Sequence, residues 1–240
     1  MLFRQQGFNL TELLLVSLVG TLILVATLQL YSSLARHKTY EAAWLRLQER
    51  ARLAELVLSR DLAKTFEVVE YQAASRSYPD FSSSSQAVTQ KQLAHASFSQ
   101  YRSSDWMLIS QQTGDNDLRF SLWHLDEKTY GRGLAHKASR PSKLKQLSSS
   151  QTVIQHAELL RFRLLCAESS SWQALNNPCT HLQQVRGIQF AVILASEAKL
   201  PEYQQSALYL WGEQLNPPND GRLRTLASGR VLLKQGAKND

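Results

Sequence analysis

Cys166, Cys179 and His181 are the three soft-ligand side chains that fall closest together along this chain, and their spacing, C-x12-C-x-H, is not one that zinc sites use. The two cysteines read better as partners of each other. If this part of the chain is exported, an oxidising compartment favours a Cys166–Cys179 disulfide. Closing a loop of about fourteen residues would then stabilise the fold by roughly 3 kcal/mol. Two buried free thiols are the alternative. The six histidines, at 37, 95, 124, 136, 156 and 181, are otherwise scattered. No His-Glu-x-x-His, P-loop, dinucleotide glycine fingerprint or Gly-x-Ser-x-Gly elbow occurs. No catalytic residue, no metal and no cofactor is therefore expected, and the chain does not read as an enzyme.

The side chain with the sharpest chemical problem is Glu12. Residues 13–28 carry no charge, and Phe8, Leu10 and Leu30 extend the apolar stretch to roughly twenty residues, the length that spans a bilayer as a helix. A carboxylate inside such a stretch costs about 2.5 to 3.5 kcal/mol on insertion scales, so it implies a partner. A cleaved secretory signal is the simpler reading of this segment, with Arg4 as the basic region and Ser33-Leu34-Ala35 as a small-x-small cleavage site. Glu12 argues against it, as does Gly7-Phe8, a small residue followed by an aromatic one at the edge of the apolar run.

The run Gly7-Phe8-Asn9-Leu10-Thr11-Glu12-Leu13-Leu14, after a short leader containing Arg4, resembles the processing motif of type IV prepilins and type II secretion pseudopilins. The resemblance implies cleavage between Gly7 and Phe8 by a prepilin peptidase and N-methylation of Phe8. It also implies that Glu12 pairs with the free N-terminal amine of a neighbouring subunit. The physics agrees, since two charges desolvated in lipid coexist only when they neutralise each other. Counting Arg4 against Arg36 and Lys38 would by itself place the bulk of the chain in the cytoplasm. The resemblance implies the opposite: a single-pass inner-membrane protein with a periplasmic head, incorporated into an extracellular pilus after processing.

Positioning these residues requires a long helix. After Tyr31 the sequence turns polar but keeps a helical period, with Tyr40, Trp44, Leu47, Ala51, Ala54, Leu58 and Leu62 recurring every three or four positions. The pattern predicts one helix over residues 8–65, about 85 Å long. Its first half (8–30) is apolar on all sides, and the continuation (31–66) carries one apolar stripe. Tyr40, Trp44, Leu47, Leu58 and Leu62 are the expected helix-to-head contacts. Residues 67–105, rich in Ser and Gln, read as a connecting loop.

Residues 106–240 read as an antiparallel sheet, with strands expected at 106–110, 118–125, 128–134, 153–166, 185–195, 207–211 and 222–234. The cluster Asn216-Pro217-Pro218-Asn219-Asp220-Gly221 makes the last two a predicted hairpin. The fold class expected is thus α+β, a long N-terminal helix packed on an antiparallel β-sheet head, type IV pilin-like. The closing strands and the stretch Leu47-Gln48-Glu49-Arg50-Ala51-Arg52 also resemble, more loosely, PilW-type minor pilins and the related J-type pseudopilins.

The chain has 240 residues, 43% of them hydrophobic, with 10 Gly and 6 Pro, which excludes collagen-like and wholly disordered classes. Lys and Arg number 27 against 20 Asp and Glu, a formal net charge of +7. Removing residues 1–7 takes away Arg4 and leaves 26 positive against 20 negative side chains, or +6. Basic clusters at 140–145 and at Arg222, Arg224 and Arg230 could touch nucleic acid or anionic lipid. A solvated face is the weightier reading, because interleaved aromatics are nearly absent from them.

The function these residues imply is a minor pilin that helps initiate and takes part in assembly of a type IV pilus, at or near the tip. The resemblance gives it as partners other minor pilins, the major pilin, the prepilin peptidase, the inner-membrane assembly platform and the membrane itself. The alternatives are a J-type minor pseudopilin of type II secretion, or a membrane-anchored periplasmic binding module.

Overall fold

The computed structural model describes residues 9–75, 79–80, 89–90, 104–113, 117–128, 131–139, 151–174, 179, 184–201 and 203–233. Helix α1 (Leu10–Leu62) is continuous over 53 residues. The chain divides into two units, Met1–Ala43 and Trp44–Asp240.

In the first unit, α1 is long and apolar enough to cross a membrane, and it leaves its large hydrophobic side chains exposed on every side, from Leu10 at 76% to Tyr40 at 38%. In the second unit the period of the sequence becomes a buried stripe. Leu47, Ala54, Leu58 and Leu62 are buried, and Trp44 and Ala51 are half-buried. Each buried leucine contributes about 1.5 to 3 kcal/mol relative to exposure. The helix stops without a proline or glycine. Ala63 N–H bonds to Ser59 O at 2.9 Å and Lys64 N–H to Asp61 O at 3.1 Å, and Thr65 already begins a strand.

That strand is the first correction. Residues 67–105 were expected to be a loop, yet β1 (Thr65–Ser75) is an 11-residue strand, followed by the short pair β2 (Pro79–Asp80) and β3 (Thr89–Gln90). The segment Thr65-Phe66-Glu67-Val68-Val69-Glu70-Tyr71 is rich in β-branched and aromatic residues, which suit a pleated surface. β1 pairs antiparallel with β4 (Ser104–Thr113), which continues to β5 (Asp117–Lys128), β6 (Gly131–Ser139) and β7 (Gln151–Gln155) in the order β1-β4-β5-β6-β7. The expected strand 128–134 therefore straddles the junction of two real strands.

The stretch 153–166, expected as one strand, is two. His156 has φ 59° and separates β7 from β8 (Ala157–Cys166), which lies in a different sheet. Ala195 N–H bonds to His156 O at 2.8 Å and holds this corner. The second sheet has the order β13-β10-β8-β9, built from β9 (Trp172–Ala174), β10 (Val185–Ala195) and β13 (Arg224–Leu232), again all antiparallel.

The predicted hairpin also has different partners. β11 (Leu208–Leu210) pairs back onto β12 (Glu213–Leu215) through Trp211 and Gly212, at φ 51° and 89°. Positive φ at both turn residues suits the right-handed twist of a two-residue hairpin. Residues 216–221 instead carry the chain to β13, whose partner is β10. β10 is buried along nearly its whole length, because both faces are covered. Leu210 and Leu215 pack with Leu159, Ala191 and Ile193 on one face, and α1 reaches Gly229 of β13 on the other.

Candidate functional site

The start of α1 is an N-cap arrangement. Asn9 precedes the helix, its carbonyl accepts Glu12 N–H at 2.9 Å, and Glu12 Oε2 accepts Asn9 N–H at 3.3 Å. An acid three residues after the cap, reaching back to the cap's own N–H, is the reciprocal half of a capping box. It also places negative charge in the first turn, where the helix dipole favours it. Glu12 is exposed and so remains open to a further cation. The sequence reading missed this local partner, although Asn9 with Glu12 three positions on is its usual signature. Gly7 and Phe8, where processing was expected, lie outside the described residues.

The polar side chains in the apolar stretch are satisfied within the helix. Ser17 Oγ donates to Leu14 O, Thr21 Oγ1 to Leu18 O and Thr27 Oγ1 to Leu24 O, each at 2.8 Å. A hydroxyl that bonds its own helix carries no unpaid donor into lipid. Along this stretch Glu12 is thus the group whose charge still needs compensation.

Of the residues expected to join helix to head, Leu47, Leu58 and Leu62 are buried and Trp44 is half-buried. Tyr40 belongs to the first unit and is 38% exposed. The structure adds a polar joint that periodicity could not show. Trp123 Nε1 on β5 donates to Asp61 Oδ2 at 2.7 Å, and Gln111 Nε2 on β4 donates to Asp61 O at 3.0 Å. The last turn of α1 is thereby tied to the first sheet, and Trp123 is buried.

A second joint links the sheets. Asp105 Oδ2 accepts Phe162 N–H at 2.8 Å, Ser104 Oγ accepts Leu160 N–H at 3.2 Å, and Arg161 Nη1 reaches Asp105 Oδ1 at 3.3 Å. The start of β4 thus closes the edge of β8 that short β9 leaves open.

Arg224 corrects the basic-cluster reading. Its side chain is fully buried, and its guanidinium clasps two carboxylates. Nε and Nη2 donate to Glu158 at 2.7 and 3.2 Å, Nη1 and Nη2 donate to Asp220 at 2.8 Å each, and Nη1 also reaches the carbonyls of Pro218 and Arg222. None of its side chain reaches the surface, so it belongs neither to a solvated face nor to a nucleic-acid surface. It fixes the 216–222 loop onto β8. Burial pushes the Asp220 carboxyl up, but hydrogen bonds from Arg224 and Arg222 and their charges outweigh it and hold it below the ordinary value. The other members of the expected basic clusters divide: residues 140–145 lie outside the described residues, and Arg230 is exposed.

The corner residue His156 titrates below the ordinary value, first through burial and then through the charges of Arg50 and Arg222, opposed by Glu197 and Glu158. Arg50 on α1 pairs with Glu197 at 3.2 Å. Cys166 and Cys179 form a disulfide with 5.5 Å between their Cα atoms. His181 lies outside the described residues, and among those described no cluster of three His, Cys, Asp or Glu could hold a metal ion. A cleft of about 400 Å³ is lined by Lys199, Leu200, Tyr203 and Asp220 among others, but its acid is already engaged by Arg224.

No protein-family model matches the chain. No curated protein matches it either. Among solved structures it is similar to a type IV-like pilin from Thermus thermophilus, at 14% identity, over 78% of this chain and 97% of that one, with a TM-score of 0.45.

Proposed function

We propose that this chain is a pilin-type subunit, specifically a minor pilin that helps initiate a type IV pilus and is incorporated at or near its tip. The observation that carries the reading is one helix with two characters. Its first part is apolar, exposed on all sides and internally satisfied in its hydroxyls, with a single acid, Glu12, in its first turn. A helix of that kind gains by burying its surface in lipid and then against copies of itself, and Glu12 selects a neighbour that offers an ammonium group. The resemblance of Gly7-Phe8-Asn9-Leu10-Thr11-Glu12 to the prepilin motif supplies that group as the amine of Phe8, freed by a prepilin peptidase and then methylated.

On this reading the protein works by forming interfaces rather than by catalysis. It waits in the inner membrane with its head in the periplasm, and it joins other minor pilins and the major pilin through the assembly platform. The test is mass spectrometry of the mature N-terminus, from cells with and without the processing peptidase. A chain beginning at N-methylated Phe8 only when the peptidase is present is expected, whereas a start after Ala35, or an uncut chain in both strains, refutes the reading. Glu12→Ala is expected to leave the head folded while lowering filament number severely.

A further inference from the structure

The open edge of β13 has the geometry of a strand acceptor. Leu233 N–H bonds to Arg186 O, and Ser196 N–H bonds to Leu223 O, which fixes odd-numbered residues of this strand as those bonded to β10. The N–H and C=O groups of Leu226, Ser228, Arg230 and Leu232 therefore point the other way, and β13 is the last strand of its sheet. At the head of the row, Arg224 N–H is capped by Gln205 Oε1 at 2.9 Å. Beyond it, among the described residues, nothing pairs with the row.

Natural edges are usually blunted by bulges, prolines or inward-facing charge. β1, at the edge of the other sheet, has three register irregularities against β4. β13 has none over nine consecutive pairs with β10 and contains no Pro; its inward-facing charge, Arg224, stands at the first residue, where the outward N–H is already capped, so from Leu226 onward the edge carries no bulge, proline or inward-facing charge. Ser228 and Arg230 are exposed, and Leu232 is 71% exposed.

We propose that this edge is completed by an extended segment of a different polypeptide, added as a fifth strand. The backbone row requires an extended peptide, because only another strand offers donors and acceptors at that repeat. Arg230 makes no ion pair among the described residues, so a carboxylate opposite it is favoured. Apolar side chains are favoured on the helix side, where they continue the face of the buried Ala227 and Val231. The same edge of a second copy of this chain is disfavoured, since β13 contains no Asp or Glu to set opposite Arg230. This inference stands whether or not the chain enters a filament.

The test uses the full chain in detergent micelles and a synthetic nine-residue peptide that alternates Thr and Val with Glu at its centre. Residue-resolved amide exchange is expected to slow at least about tenfold at Leu226, Ser228 and Arg230 when the peptide is added. A Lys-centred peptide should bind several-fold more weakly. Ser228→Pro removes one outward N–H without touching the β10 ladder, and should lose at least about tenfold in peptide affinity. Arg230→Glu should reverse the preference between the two peptides, which keeps the test valid if the proline variant folds poorly. Unchanged exchange at millimolar peptide overturns the proposal. So does protection that grows with protein concentration alone, since that would mean the edge closes on a second copy.

Discussion

Gly229 on β13 lies beneath the ring of Phe190 on β10, so close that a Cβ there would come within 2.5 Å of Phe190 Cζ and 3.1 Å of Ser59 Oγ. Phe190 is fully buried, and α1 passes over both. The missing side chain is what lets helix and sheet approach. Gly229→Ala is accordingly expected to destabilise the head by about 1 to 3 kcal/mol, through overpacking rather than backbone strain. Thermal unfolding of the full chain in detergent measures it. Adding Phe190→Leu to Gly229→Ala should recover part of the loss, which a purely conformational cost at residue 229 would not allow.

His156 couples the corner between the sheets to pH. Its folded value lies below its unfolded one, so the unfolded chain binds more protons as the solution passes below about 6.5. The stability linked to His156 is therefore complete above that value and is lost as pH falls toward the folded value. Its φ of 59° is one that Asn tolerates. His156→Asn is expected to fold and to flatten the stability profile just below about pH 6.5. An unchanged slope in denaturant titrations across that range would show that other groups set it.

What could be read from residues and what could not divide along physical lines. The apolar run, the stripe through Leu47, Leu58 and Leu62, and the all-antiparallel head come from hydrophobic period, which local sequence records directly. The capping role of Glu12 was present in the same residues but overshadowed by its cost in lipid. β1 was lost because its strand pattern follows a helix with no Pro or Gly between, so the change of period was absorbed into the helix and the Ser-rich stretch behind it. The break at His156 and the partners of β11 and β13 depend on contacts between segments far apart in sequence. Arg224 shows the same limit. Three arginines two to six residues apart look like a surface cluster, and only the fold brings Glu158, 66 residues away, to the one between them.

The Cys166–Cys179 disulfide closes a loop between the end of β8 and the approach to β10. Cys166↔Val185 is the first pair of that ladder, so the bond pins the place where the two strands meet. Replacing both cysteines by Ser is expected to cost about 2 to 4 kcal/mol. The β8–β10 register should survive, because nine further buried positions of β10 hold it. Non-reducing mass spectrometry should find the wild-type chain two protons lighter than its reduced form. A loss of strand content in the double variant would instead make the bond a condition of folding.

Arg224 gives the sharpest energetic test. Its guanidinium is the shared counter-ion of Glu158 and Asp220, with Arg222 3.9 Å from Asp220 as a weaker second cation. Arg224→Met keeps most of the side-chain bulk but leaves two carboxylates facing each other around an apolar chain. Removing one member of a buried ion cluster typically costs about 3 to 5 kcal/mol, because the remaining charges are left uncompensated. The pH dependence should move with it. In the native chain Asp220 titrates below the ordinary carboxylate value, so its contribution is present above about pH 4 and is lost as pH falls through the folded value. In Arg224→Met Asp220 should take up a proton more readily, and acid unfolding should begin at higher pH. Adding Glu158→Gln and Asp220→Asn to Arg224→Met should restore a large part of the stability, since it removes the charges that the arginine was neutralising. If the triple variant is no more stable than Arg224→Met, the hydrogen bonds to Pro218 and Arg222, rather than the ion pairs, hold the loop in place.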